Sequence, residues 1–134
     1  MAEPVTIETR DRASIFNKTL NEWFEGWQAV FRPPALYKPI NIATATTHTI
    51  IPGVSRKRIR IVSFFFTVGG EVNITLYDGP NAMSGPMDFG GASEPRGTVT
   101  PFPYSPVELG EGEGFKIKLS AAVQVSGTVC YYYQ

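Results

Sequence analysis

The sequence predicts an all-β fold built from short antiparallel strands. After residue 39, six to eight stretches rich in β-branched and aromatic residues alternate apolar and polar positions, which is the period of a half-buried strand. Turn-forming residues separate these stretches, and the chain contains 13 glycines and 11 prolines. No β-α-β spacing occurs between consecutive strands, so the pattern favours an antiparallel β-sandwich or jelly roll.

The composition changes near Pro39 and divides the chain into two parts. We expect residues 1–39 to form an N-terminal arm and residues 40–134 to form the β-sandwich domain. A chain of 134 residues is the right length for one domain with such an appendage. Apolar residues make up 43% of the chain, an ordinary share for a protein that folds.

The arm carries the pattern of a short amphipathic helix. Apolar residues recur at spacings of four, three, four and three, which places them along one face of a helix. This apolar stripe consists of Phe16, Leu20, Trp23, Trp27 and Val30. Asp11 or Ser14 is suited to cap the helix start, and the two prolines that follow Arg32 would end it.

Three surfaces are candidates to cover the apolar stripe. The helix packs on the sandwich of its own chain or docks on another subunit, and the enrichment of tryptophan among interface anchors supports the second interpretation without excluding the first. A helix lying on a membrane surface is disfavoured, because Lys18, Glu22 and Glu25 give the polar face mixed charge rather than a basic one.

The predicted strands follow one another with short connections. In chain order they lie in "ATATTHTII", "RIRIVSFFFTV", "VNITLYDG", "GTVTPF", "SPVEL", "FKIKL" and the terminal stretch "VQVSGTVCYYYQ". The pair Gly69 and Gly70 separates the second run from the third, which is the signal of a two-residue hairpin. A long loop dense in glycine, proline, asparagine and serine follows the third run.

The second run changes its parity in the middle. Ile59 and Ile61 occupy one parity, whereas Phe64 and Phe66 occupy the other. A β-bulge near Val62, or a strand that is covered on both faces, accounts for this switch.

The terminal strand ends on aromatic residues. We expect it to complete the sheet and to bring Tyr131 and Tyr133 near an edge. An uncovered edge invites uncontrolled pairing, so we expect a neighbouring subunit to cover it.

The charge balance argues against two classes of partner. Twelve basic residues offset 12 acidic ones, so no net field attracts nucleic acid or anionic lipid, and we expect neither to be a partner. The basic run in "SRKRIR" is typical of a strand start whose solvated positions alternate with Ile59 and Ile61. No stretch approaches the ~20 apolar residues of a membrane span. The single cysteine, Cys130, cannot form an internal disulfide, which favours a reducing cytoplasm.

Few residues offer reactive chemistry, and each has a simpler interpretation. His48, the only histidine, is expected at the surface or in a hydrogen bond, because metal sites require several ligands. Cys130 is expected to be a small buried apolar side chain. The glutamates of "ELGEGEG" are expected in a solvated turn rather than in a calcium site. We therefore predict no catalytic residue, no metal, no cofactor and no enzymatic activity.

Three stretches of the β part point to a known class of protein. They are the run "VNITLYDGP", the phrase "PFPYSPVEL" and the ending "GFKIKLSAAVQVSGTVCYYYQ". With these stretches, the chain from about Ile40 to Gln134 resembles the jelly-roll decoration (cement) proteins on the heads of tailed bacteriophages. The arm matches no family pattern.

The resemblance implies a structural virion protein without an active site. Such a protein binds the outer capsid surface as a homo-oligomer, commonly a trimer, and stabilises the shell after assembly in the host cytoplasm. Its expected partner is the major capsid protein or another virion protein. The expected partner-binding residues are the five of the apolar stripe (Phe16, Leu20, Trp23, Trp27 and Val30) together with Tyr131 and Tyr133.

Two alternative functions remain open at this stage. The same fold would serve as a structural component of the tail, the neck or a head fibre. A carbohydrate-binding or hydrolytic sandwich is the third interpretation, motivated by Tyr77, Phe89 and Tyr104 as expected surface aromatics. Its hydrolytic version is weakened because the sequence offers no convincing carboxylate pair.

Overall fold

The structure, a computed structural model, describes residues 34–102 and 104–134. All regular structure in these residues is β, in two antiparallel sheets consistent with a β-sandwich. The all-β prediction is therefore confirmed for this part of the chain. The predicted helix with its apolar stripe lies outside the described residues.

The described residues contain ten strands. They are β1 (Leu36–Ile42), β2 (Thr47–Ile51), β3 (Ile59–Val68), β4 (Val72–Asp78), β5 (Asn81–Ala82), β6 (Met87–Phe89), β7 (Gly97–Pro101), β8 (Val107–Glu108), β9 (Phe115–Leu119) and β10 (Val125–Tyr133). The compact unit that contains them spans residues 35–134. Since β1 begins at Leu36, the sandwich starts ahead of the boundary predicted at residue 40, and any truncation of the arm has to stop before that strand.

Each sheet has one continuous edge and one divided edge. Sheet 1 has the order β2-β9-β4, and both β5 and β6 pair with the far side of β4. Sheet 2 has the order β1-β10-β3, and both β7 and β8 pair with the far side of β3. The chain therefore crosses between the sheets repeatedly, and the central strands pair with partners that are distant in sequence.

The core lies between the two sheets and follows from the alternation of the strands. Inward positions of the long strands are buried, for example Val125 and Val129 on β10 and Ile117 on β9. Burial of one such side chain contributes on the order of 1.5–3 kcal/mol. The fully buried side chains are Ile40, Ile51, Ile59, Ile61, Ile74, Leu109, Phe115, Ile117, Leu119, Val125 and Val129.

A β-bulge in β3 explains the parity switch of that strand. Along β10, Cys130 is paired with Ser63 and the next residue, Tyr131, is paired with Ile61, so Val62 has no opposite residue. The bulge predicted near Val62 is confirmed. Because one extra residue is inserted, the side chains on both sides of Val62 reach the same core.

The glycine pair after β3 does not form the predicted hairpin. β3 belongs to sheet 2 and β4 belongs to sheet 1, so Gly69 and Gly70 connect strands that do not pair with each other. The N–H of Gly69 donates to the carbonyl of Gln124 at 2.8 Å, which ties the connection to the start of β10. The hairpin prediction was wrong because both strands are fully paired to more distant segments.

The terminal strand lies inside its sheet, which corrects the prediction that its tyrosines are near an open edge. β10 pairs with β1 from Val125 to Tyr131 and with β3 from Val125 to Tyr133. Among the strands of the described residues, β1 lies at this edge of sheet 2, and it contains Lys38 and Pro39. A charged side chain and a residue without an N–H both discourage pairing with another chain. These two residues therefore make this edge less prone to pair with another chain.

Close packing of backbones makes Gly127 specific to its position in β10. It faces inward opposite Phe66 on one side and Ile40 on the other. A Cβ atom at this position would overlap the carbonyl oxygen of Phe65 and lie 2.6 Å from the Cα of Phe66. These are backbone atoms of the neighbouring strand, which cannot rotate away as a side chain can.

The substitution Gly127→Ala should therefore destabilise the domain by about 2 kcal/mol or more, within the range of overpacked cores. Denaturant unfolding monitored by circular dichroism measures the loss. The control is Ser126→Ala at the adjacent, exposed position of the same strand, which should change the free energy of unfolding by less than about 0.5 kcal/mol. Equal stability of the two variants would contradict the close approach.

Candidate interaction surface

The outer face of sheet 2 carries no charged side chain over three rows that cross four strands. In each row the residues are paired from β1 through β10 and β3 to β7. The rows are Tyr37–Cys130–Ser63–Pro101, Pro39–Thr128–Phe65–Val99 and Asn41–Ser126–Thr67–Gly97. We call these twelve positions the uncharged face. All of them are exposed or half-buried.

Large apolar and aromatic side chains project from the uncharged face. Val99 is 79% exposed, Tyr37 is 70% exposed and Phe65 is 46% exposed. Phe65 and Val99 are direct cross-strand partners, so their side chains form one continuous apolar contact area. Single exposed apolar residues are ordinary, whereas a contiguous group of them is typical of an interaction site.

The outer face of sheet 1 has the opposite character. It carries Lys116 and Lys118 on β9 and Asp88 on β6, with Asn73 and Thr49 nearby. Asn73 donates a side-chain hydrogen bond to the carboxylate of Asp88, and its N–H donates to Ser120 Oγ at 2.8 Å. This polar network suits a surface that stays in water. The contrast between the two faces therefore distinguishes the uncharged face as the candidate interaction surface.

The composition of the uncharged face matches the centre of a protein interface. Interface cores are depleted of charged residues and enriched in aromatic ones. Four strands spaced about 4.8 Å apart, along which the three rows span about five residues, cover on the order of 300 Å². A standard interface buries about 800 Å² on each partner. The face by itself is thus suited to a contact that is completed by other segments or repeated in many copies.

The two tyrosines predicted to bind a partner lie at the C-terminal end of β10. Tyr131 is 8% exposed and belongs to the core, while Tyr133 is half-buried. Their rings meet edge to face with centroids 5.5 Å apart, and Tyr133 Oη donates to the carbonyl of Pro52 at 2.8 Å. Both rings therefore contact the sandwich itself. The other five predicted partner-binding residues, the apolar stripe, lie outside the described residues.

Burial raises the pKa of Tyr133 above its ordinary value of 10.0. Electrostatic repulsion from Tyr131 raises the pKa of Tyr133 further. Both effects favour the neutral phenol, which is the form that donates to Pro52. Tyr133 therefore connects the end of β10 to the loop after β2 as long as its hydroxyl stays protonated.

His48 and the basic run take the structural roles predicted for them. His48 Nε2 lies 3.0 Å from the carbonyl of Thr44 and 3.1 Å from its hydroxyl, so the ring belongs to a local hydrogen-bond group. At the start of β3, Ile59 and Ile61 are buried while Arg60 is half-buried and forms an ion pair with Glu108 at 2.8 Å.

The acidic stretch forms the predicted turn. Glu113 N–H donates to Gly110 O at 3.1 Å, and the N–H of Gly110 donates to the carboxylate of Asp78 at 3.1 Å. Gly112 adopts a φ of 77°, a left-handed conformation for which glycine is suited. Among residues 34–102 and 104–134, no group of three or more histidine, cysteine, aspartate or glutamate side chains is arranged to hold a metal ion.

Two side chains are not where the sequence pattern placed them. Cys130, expected to be buried, is half-buried and lies on the uncharged face. Phe89, expected at the surface, is 6% exposed and packs edge to face on Phe66 with centroids 5.1 Å apart. Tyr104 is exposed and Tyr77 is half-buried, so the three aromatics do not form the surface group predicted for carbohydrate binding.

The residues of the uncharged face were missed by sequence reasoning. The run "FFF" at residues 64–66 contained the signal, since strand alternation must place one of the three rings outward. No sequence feature indicated that Val99 is exposed, because its strand is short and its pairing partner is not evident from the sequence. The face becomes visible only when the register of four strands is known.

Comparisons of the chain with protein-family models, with curated proteins and with solved structures found no significant match. In the described part of the chain, no helix is long and apolar enough to cross a membrane.

The raised pKa of Tyr133 predicts a loss of stability at alkaline pH. The folded chain holds the phenol proton more tightly than the unfolded chain, so this contribution is fully present below about pH 10 and is lost as the pH rises through the raised pKa. Tyr133→Phe should remove this pH-dependent contribution. Loss of the hydrogen bond to Pro52 should also lower the free energy of unfolding by about 1 kcal/mol.

Unfolding in urea between pH 8 and 11 tests this prediction, with Tyr37→Phe on the uncharged face as the matched control. The wild type and the control should lose stability above pH 10 more steeply than Tyr133→Phe. Parallel pH profiles for all three proteins would show that Tyr133 is not responsible.

Proposed function

We propose that this chain is a structural protein of a bacteriophage virion that decorates the outer capsid surface and stabilises the shell. The uncharged face is the observation that carries the proposal, because its three rows combine exposed aromatic and aliphatic side chains with an absence of charged side chains. The stretches that resemble decoration proteins supply the virion assignment. The expected partner is the major capsid protein.

A jelly-roll arrangement of the sandwich belongs to the same proposal. Jelly rolls have eight strand positions in two sheets and occur in viral capsid domains. When each divided edge is counted as one position, the chain visits the sheets in the order 2, 1, 2, 1, 1, 2, 1, 2. In both sheets a late strand, β10 or β9, lies between two early ones. This interleaving supports a pair of Greek keys.

Attachment in many copies is consistent with the size of the uncharged face. The face is smaller than a standard interface, so one contact through it would be weak. A homo-oligomer, such as a trimer, binds through several faces at once and multiplies the modest affinity of each. The apolar stripe of the arm (Phe16, Leu20, Trp23, Trp27 and Val30) is the proposed second contact, either with the capsid or with a neighbouring subunit.

A charge placed on the uncharged face should prevent decoration. In Val99→Asp the new carboxylate would be buried on binding without a partner, and a penalty of only about 1.4 kcal/mol already reduces affinity tenfold. The test mixes purified protein with capsids that were assembled without it, taken from the phage that encodes it. At protein concentrations below the wild-type Kd, the number of copies bound per particle should fall at least about tenfold for this variant.

The matched control is Thr49→Asp, an exposed position on an edge strand of sheet 1, and it should decorate as the wild type does. Unchanged occupancy of Val99→Asp would exclude the uncharged face as the contact. Wild-type protein that binds only at one vertex or on tails would indicate the tail, neck or fibre alternative. Wild-type protein that binds no part of the particle would overturn the virion assignment.

A further inference from the structure

An apolar cavity of about 240 Å³ lies between the two sheets, beside their divided edges. Leu76 and Met83 line it from sheet 1 and the segment beyond β4, and Phe115 contributes from β9. Ile61, Phe64, Phe102 and Val107 line it from the side of sheet 2. Every one of these side chains is apolar.

The cavity lies beside the bulge in β3. β7 pairs with β3 from Ser63 onward, and β8 pairs with Arg60 and Ile61, so the edge of sheet 2 is interrupted opposite Val62. Sheet 1 has its own interruption beside β4, where β5 pairs at Tyr77 and Asp78 and β6 pairs at residues 72–74. The cavity is found where the two interruptions face each other.

Backbone hydrogen bonds hold the rim of the cavity in place. Phe102 N–H donates to the carbonyl of Val62 at 2.7 Å, and Met83 N–H donates to the carbonyl of Leu76 at 2.8 Å. Leu76 N–H is in turn satisfied by Ser84 Oγ at 2.9 Å. Because these backbone groups pair with one another, the rim leaves few polar groups to bind water inside.

Aromatic rings form stiff walls that resist collapse. Phe64 contacts Phe102 with centroids 6.1 Å apart and an angle of 53°, and it stacks on Phe66 at 6.2 Å and 10°. An unfilled cavity destabilises a protein in proportion to its volume. Met83, the exposed residue of the rim, has a flexible side chain that adapts to different contents.

We propose that this cavity is a binding site for a small, uncharged apolar molecule of the size of a single aromatic ring or a short branched alkane. An engineered apolar cavity of about 150 Å³ binds benzene or xenon, and the cavity between these sheets is larger and is partly open to solvent beside Met83. Its lining offers no side-chain hydrogen bond and no charge, so it selects against polar and ionic ligands. This site is separate from the uncharged face and does not depend on the proposed virion function.

Benzene is the probe for a direct test on the full chain. Thermal unfolding in buffer close to saturation with benzene should show a Tm at least about 2 °C higher than in buffer alone, because a ligand that binds only the folded state shifts unfolding by mass action. Phenol at the same concentration should produce a much smaller shift, since its hydroxyl would lose its hydrogen bonds to water inside the cavity.

A matched pair of variants locates the effect. Val107→Phe adds a ring on the cavity wall and should abolish the benzene shift, whereas Val99→Phe makes the same change on the outer face of the same sheet and should retain it. Absence of a shift in the wild type, an undiminished shift in Val107→Phe, or a phenol shift equal to that of benzene would each overturn the proposal.

A second measurement keeps the test decisive if Val107→Phe does not fold. Under xenon pressure, methyl NMR signals of Leu76, Met83 and Val107 should shift in the wild type, because their side chains line the cavity. The methyl signals of Val99 should stay unchanged, since that side chain is on the outer face. Equal shifts at Val99 and at the lining residues would indicate adsorption at the surface and contradict a cavity site.

Discussion

Two sets of apolar side chains on opposite parities have to reach one core from the single strand β3. Ile59 and Ile61 belong to the first set, and Phe64 and Phe66 belong to the second. A regular strand would expose one set to water, at a cost of on the order of 1.5–3 kcal/mol for each side chain. The bulge at Val62 removes this conflict, and it also interrupts the edge that pairs with β3. The bulge, the divided edge of sheet 2 and the cavity therefore lie next to one another.

The strict alternation after the bulge generates the uncharged face. With Phe64 and Phe66 directed inward, Phe65 has to point outward, where it meets Val99 across the strand pair. The neighbouring strands supply serine, threonine, cysteine and proline at the same level. Sheet 1 instead presents lysine and aspartate to water. The sandwich thus has one face suited to solvent and one suited to a partner, which is the asymmetry expected of a protein that attaches to a larger assembly.

Local features of the fold could be predicted from the sequence, whereas features that depend on contacts between distant segments could not. Alternation predicted the all-β fold, and the parity change in β3 indicated either a bulge or a strand covered on both faces, because these features depend on residues close together in the chain. The hairpin at Gly69 and Gly70 and the edge position of the terminal strand were wrong, because sheet order depends on pairing between distant segments. For example, Thr128 pairs with Pro39. The uncharged face and the cavity require that register as well as side-chain volumes, so no local pattern revealed them.

The reactivity of Cys130 reports whether the uncharged face contacts a partner, since the chain's single cysteine lies half-buried on this face. The measurement compares the rate of maleimide labelling of Cys130 in the free protein and in protein bound to capsids. If the uncharged face is the surface that contacts the partner, the rate should fall at least about tenfold on binding, a protection of about 1.4 kcal/mol. Equal labelling rates in the free and the bound protein would contradict the account.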